Sequence, residues 1–137
     1  MARLEGKVAL ITGAAKGLGE SDARLFVKEG AKVVLTDIDA DQGKNLADEL
    51  GKESALFLEQ DVRDENRWKE VLEKAVQHFG KLNILVNNAG IVIPGNIETQ
   101  STEDYRFIMS VHVDSVFFGS KYAIPYMVEA GSGSAAL

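Results

Sequence analysis

Three stretches of the chain hold residues whose types and spacing can do chemistry. The first is Thr12-Gly13-Ala14-Ala15-Lys16-Gly17-Leu18-Gly19, set between an apolar run and a helical pattern. Its glycines are separated by three residues and then by one, so it departs from the strict G-x-G-x-x-G spacing while meeting the same needs. Gly13 can turn sharply out of a strand, Gly17 leaves room for a pyrophosphate against the backbone, and Gly19 lets helix and strand pack closely. The free N–H groups at the helix start then face an anion, and Lys16 can add a positive charge. Glycines alone also describe a turn that binds nothing, so the other two stretches matter.

The second is Asp37, at the end of the next apolar run and 18 residues past Gly19. A carboxylate there can accept hydrogen bonds from both hydroxyls of an adenosine ribose, and it repels a 2′-phosphate, so it favours NAD over NADP. The bland alternative is a solvated loop acid beside Asp39 and Asp41. Lys16 argues the other way, because a base there can help hold a 2′-phosphate, but Asp37 acts directly at the ribose. The third is a pair of loops, Asp61-Val62 and Asn87-Asn88-Ala89-Gly90, which follow the third and fourth apolar runs. Asp61 can face an adenine amino group and Val62 can flank the ring, while Ala89 and Gly90 are small enough for a ligand to lie on their backbone. Taken singly, Asp61 also reads as a turn cap and Asn-Ala-Gly as ordinary loop chemistry.

The elements that must position these residues alternate. Residues 7–12, 31–36, 54–59 and 82–87 are apolar runs of strand length. Between them lie a helix reaching about Glu29, a polar helix over 41–50 and a third helix begun by Asp64 as N-cap. In that third helix Trp68, Val71, Leu72, Ala75, Val76 and Phe79 form one apolar stripe. Ser101 and Asp104 mark a further helix start, and a long, bent helix is expected over 105–129. Val113, Val116, Phe117, Ile124, Met127 and Val128 are expected on its packed side. Strand and helix in alternation predict an α/β fold, a Rossmann-like doubly wound parallel sheet of order 3-2-1-4. The carboxyl ends of all four strands then share one edge, where open α/β sheets bind ligands. Residues 1–130 read as one dinucleotide-binding domain and 131–137 as a flexible tail.

Composition limits the alternatives. The net charge of −6 argues against a nucleic-acid partner, which needs a basic face. With no cysteine, disulfide scaffolds, thiol nucleophiles and cysteine-based zinc sites are excluded, and no metal site is expected. No stretch approaches the ~20 apolar residues of a membrane span, and the first residues lack the apolar run of a secretion signal. A cytoplasmic protein is expected.

The glycine turn, Asp37, Asp61-Val62 and Asn87-Asn88-Ala89-Gly90 together resemble the short-chain dehydrogenase/reductase family, over nearly the whole chain. Within it the sequence looks like the NAD-linked bacterial alcohol and hydroxysteroid dehydrogenases. The resemblance implies hydride transfer between nicotinamide and a secondary alcohol or ketone. It implies that Gly13, Lys16, Gly17, Leu18 and Gly19 line the pyrophosphate, Asp37 the ribose, and Asp61 and Val62 the adenine. Asn88, Ala89 and Gly90 would lie along the middle of the cofactor, with Val111 near the nicotinamide. The sequence departs from the family at His112, where the family has an asparagine that supports a water-linked proton relay. His112 either serves a different relay or is structural. The family's Tyr-x-x-x-Lys motif does not occur in these 137 residues, so no catalytic residue is assigned. Two readings follow: the cofactor-binding half of an NAD-dependent enzyme, or an inactive nucleotide-binding or dimerisation module. In a four-stranded sheet the fourth strand would be a bare apolar edge, which favours a homo-oligomer.

Overall fold

A computed structural model describes residues 2–137. The strands are β1 (Val8–Thr12), β2 (Lys32–Asp37), β3 (Ala55–Glu59), β4 (Ile84–Val86) and β5 (Ser134–Ala136). The helices are α1 (Gly17–Lys28), α2 (Ala40–Leu50), α3 (Glu65–Phe79), α4 (Thr102–Met109) and α5 (Ser115–Ala130), with a π-helical turn at Ser110–Asp114 joining the last two. All strand pairs are parallel and the order is 3-2-1-4-5. The fold is therefore the Rossmann-like parallel sheet that the alternation implies, with one strand more than expected.

Side chains alternate across each strand, so the sheet feeds two cores. Leu10, Val34 and Leu85 face α3 and α5 and pack with Trp68, Val71, Leu72, Ala75 and Met127. Ile11, Val33, Leu35 and Val86 face the other way, with Ala23 of α1 and Leu46 and Ala47 of α2. Burial on both faces is why β1 and β2 read as continuous apolar runs. The helices start on local hydrogen bonds. Asp39 accepts from Gln42 N, Asp64 from Arg67 N and Ser101 from Asp104 N. Among the described residues, no helix is long and apolar enough to cross a membrane.

Three expectations need correction. The sheet does not stop at four strands: Ser134, Ala135 and Ala136 pair with Ile84, Leu85 and Val86. Backbone pairing needs no apolar side chain, so the three small residues carried no strand pattern. For the same reason β4 is not a bare edge, since β5 lies against it. The bend in the long helix is the π-helical turn, a recognised cause of kinks. The packed side of α5 also differs. Ser115, Gly119, Ala123 and Met127 are its buried residues, whereas Val113, Phe117, Ile124 and Val128 are exposed. A Cβ on Gly119 would lie 2.7 Å from the Trp68 ring, so only a small residue allows α5 this close to α3.

Trp68 ties this packing to the sheet's carboxyl edge. It is fully buried, and its indole N–H donates to Val62 O at 2.8 Å. Trp68→Phe removes that bond and leaves a void, so it should cost about 1–3 kcal/mol in urea unfolding. An unchanged midpoint would show that the indole does not brace the β3–α3 loop.

Candidate functional site

The carboxyl ends of β1 and β4 are joined by side chains. Thr12 Oγ1 accepts from the backbone N–H groups of both Asn88 and Ala89, each at 3.0 Å. The Asn88 amide donates back to Thr12 O and Gly13 O, each at 3.1 Å. These four bonds fasten the glycine turn to the 88–90 loop. Gly19 completes the junction from α1: a Cβ there would lie 2.4 Å from Gly13 O and 2.6 Å from Asn88 Nδ2. Gly17 does the opposite. Its φ of 63° is in the left-handed region, and nothing lies within 4 Å of where its Cβ would be. Lys16 is the N-cap of α1 without a side-chain cap bond. The first turn of α1 is thus open to an anion.

A cleft of about 610 Å³ runs across this edge, a volume typical of small-molecule sites. Of the residues singled out in the sequence, Gly13, Lys16, Asp37, Asp61, Val62, Asn88, Ala89, Gly90 and Val111 line it. Gly17, Leu18 and Gly19 do not. Leu18 is exposed beside the cleft and Gly19 is buried beneath the turn. Asn88 lines the cleft, but its amide points into the junction with the glycine turn. Ile91, from the 91–96 loop that the sequence offers as a substrate contact, also lines it, as do Ile38, Asp39, Gln60, Arg63 and Phe107, which sequence reading did not single out. Phe107 stands one helical step before Val111, so spacing could have found it. Arg63 carries no such signal, because its partner is reached through a loop.

Asp37 is 9% exposed. One carboxylate oxygen accepts from Ala15 N at 3.0 Å and the other from Asp39 N at 2.9 Å. Each oxygen keeps acceptor capacity beyond that single bond. Asp61 is occupied more fully. Oδ1 accepts from the Arg63 backbone N–H and from Nε, both at 3.0 Å, and Oδ2 accepts from Nη2 at 2.6 Å. The Arg63 guanidinium also lies over the Phe107 ring, 4.6 Å from its centre, which links this loop to α4. Hydrogen bonding to Arg63 holds the Asp61 carboxyl below the ordinary aspartate range and raises the Arg63 guanidinium.

His112 lies on the π-helical turn. Its Nε2 is 3.0 Å from Ile91 N and 2.8 Å from Ile91 O. One ring nitrogen either accepts from the N–H or donates to the C=O. In both cases His112 holds the 90–91 backbone, with its ring against Gly90.

The parallel sheet, the open glycine turn and the cleft over the strand ends define the Rossmann-like class. The chain belongs to the short-chain dehydrogenase family, whose model, described as "short chain dehydrogenase", matches residues 7–136. It is 44% identical over 129 residues to the 3-beta-hydroxysteroid dehydrogenase of Comamonas testosteroni, covering 94% of this chain and 50% of that protein. It is 43% identical over 132 residues to the 3-alpha-(or 20-beta)-hydroxysteroid dehydrogenase of Mycobacterium tuberculosis, covering 96% and 50%. It is 40% identical over 133 residues to the NADP-dependent (R)-specific alcohol dehydrogenase of Lentilactobacillus kefiri, covering 96% and 53%. The chain spans about half the length of these curated relatives. The relatives are oxidoreductases, and the family uses NAD or NADP.

Two predictions follow from the site's bonding. Thr12→Val should leave the Asn88 and Ala89 N–H groups unpartnered and destabilise by about 2–4 kcal/mol in denaturant unfolding, whereas Thr12→Ser should stay within about 1 kcal/mol of wild type. Equal losses would show that the hydroxyl does not hold the junction. The Asp61–Arg63 pair, with its lowered carboxyl pKa, contributes stability that is fully present above the ordinary aspartate pKa of about 3.9 and is lost as pH falls through the lowered value. Both side chains are more than a third exposed, so the effect should stay below about 1 kcal/mol. Thermal melts between pH 6 and pH 3 should show wild type losing slightly more than Asp61→Asn, and identical acid profiles would refute the pairing.

Proposed function

We propose that the chain is the cofactor-binding half of an NAD-dependent short-chain dehydrogenase. The whole protein would transfer a hydride between nicotinamide and the carbinol or carbonyl carbon of a secondary alcohol or ketone. The observation that carries this is Asp37 at the carboxyl end of β2, a buried carboxylate held rigid by two backbone N–H groups with acceptor capacity remaining. Such a group suits the two hydroxyls of an adenosine ribose and opposes a 2′-phosphate. The open start of α1, Lys16 and the exposed backbone at Gly17 suit a pyrophosphate. Ala89, Gly90 and Val111 would carry the central and nicotinamide portions, and His112 would fix the backbone beneath them. The bound cofactor supplies the hydride acceptor or donor. The residues described here bind and orient it.

No Tyr-x-x-x-Lys occurs in the 137 residues, so hydride transfer is assigned to the whole protein and the present chain to cofactor binding. The alcohol, ketone and hydroxysteroid classes follow from the relatives alone. Lys16 and the NADP-dependent relative favour a second reading, in which the cofactor is NADP.

Calorimetric titration separates the two. Wild type should bind NAD at least tenfold more tightly than NADP. Asp37→Ala should weaken NAD about tenfold and narrow the preference, the loss expected for a charged hydrogen-bond acceptor. A wild-type preference for NADP would overturn the role given to Asp37.

A further inference from the structure

One ring nitrogen of His112 faces two backbone groups of opposite kind on the wall of the cleft. Nε2 lies 3.0 Å from Ile91 N and 2.8 Å from Ile91 O. A bare Nε2 accepts from the N–H, a protonated Nε2 donates to the C=O, and it does only one of these at a time. Little else holds this stretch of chain. Among the described residues, the backbone from Gly90 to Gly95 makes hydrogen bonds only to His112. The ring reaches the loop because position 90 is glycine: a Cβ there would lie 2.8 Å from His112 Cε1. The ring is also open to protons, since His112 is exposed and its Nδ1 has no hydrogen-bond partner in the chain among the described residues.

The charged groups on the elements around the ring leave it to Ile91. Asp114 shares its turn, at a spacing that does not face His112 on a helix. Glu103, Asp104 and Arg106 of α4, Lys121 and Glu129 of α5 and Glu98 of the loop are farther along the chain. Among the described residues none of these makes an ion pair with His112. Histidine is the side chain whose charge ordinarily changes between about pH 5 and pH 8. The chain's other histidine, His78, stands in the last turn of α3 against Phe79 and does not line the cleft. We propose that His112 is a proton-operated positioning residue, which holds Ile91 N–H when its ring is neutral and Ile91 C=O when its ring is protonated. The neutral ring carries its proton on the open Nδ1. A second proton, taken from solvent, goes to the Nε2 lone pair, so the bond passes to the C=O and the N–H is released at the cleft wall. A released N–H and a positive ring both favour an anionic ligand, so a dinucleotide binds more tightly in acid. That consequence rests on the reading of the cleft as a dinucleotide site, whereas the switch itself does not.

The first test is NMR of the ligand-free chain labelled with 15N, taken from about pH 8 to about pH 5.5. The His112 Nε2 resonance should pass from that of a bare nitrogen to that of a protonated one, and the Ile91 amide proton should move upfield with the same midpoint. In His112→Gln, whose amide does not titrate, the Ile91 amide should stay in place. An Nε2 already protonated at pH 8, or an Ile91 amide that does not follow the ring in wild type, would overturn the switch without any variant being needed. The second test is calorimetric titration with NAD, because the 2′-phosphate of NADP itself titrates in this range. Wild-type affinity should fall about fivefold from pH 5.5 to pH 8, at the low end of usual coupling energies. His112→Gln should change by less than about twofold, since it lacks the titrating ring. The same pH dependence in both proteins would overturn the effect on binding. Absence of NAD and ADP-ribose binding at every pH, with ring and amide still titrating together, would overturn the dinucleotide reading and leave the switch supported.

Discussion

The arrangement of the candidate site depends on one reciprocal contact, the hydroxyl of Thr12 with the backbone of Asn88 and Ala89 and the amide of Asn88 with the backbone of Thr12 and Gly13. Parallel strands side by side leave their terminal peptide groups without ladder partners, and here the terminal groups of β1 and β4 are buried or half-buried. Side-chain bonds satisfy them, and in doing so they set the separation between the glycine turn and the 88–90 loop. Gly19 is obligatory for the same reason, because a side chain there would strike both Gly13 O and the Asn88 amide. The stability of the junction and the shape of the cleft's centre are thus one property of the fold.

Much of this was legible in residue types. β1 and β2 announce themselves as buried runs, α3 by its stripe, and two helix starts by Asp64 and Ser101 as side-chain caps. Asp37 is legible because position and chemistry coincide: the last residue of β2 is acidic where a fully apolar strand would continue. Other features left no trace. β5 is Ser-Ala-Ala, held by backbone bonds to β4 that any residue but proline can make. The orientation of α5 was hidden because the helix is apolar on both sides. Large residues suggest the packed face, but Ser115, Gly119 and Ala123 take it, since close approach to Trp68 requires small ones. Arg63 was invisible as a site residue because its Asp61 and Phe107 partners meet only in the folded chain.

The polar groups of the carboxyl edge divide by how fully the protein itself satisfies them. The amide nitrogen of Asn88 is engaged within the junction, Asp61 is largely engaged by Arg63, Asp37 is half engaged, and the amide of Gln60 has no protein partner. Folding alone favours the first kind and disfavours the last.

His112 shows the same tension at the other end of the cleft. Its ring nitrogen stands within hydrogen-bonding distance of both Ile91 N and Ile91 O, and it carries either a lone pair or a proton. One of the two backbone groups is therefore always left to another partner. A primary amide has an oxygen for an N–H and a nitrogen for a C=O, whereas the single imidazole nitrogen here meets one of the two. The π-helical turn brings the ring to the loop, where it touches Gly90. His112 thus braces the helix against the loop through a single ring nitrogen. The backbone group left over lies at Ile91, on the wall of the cleft.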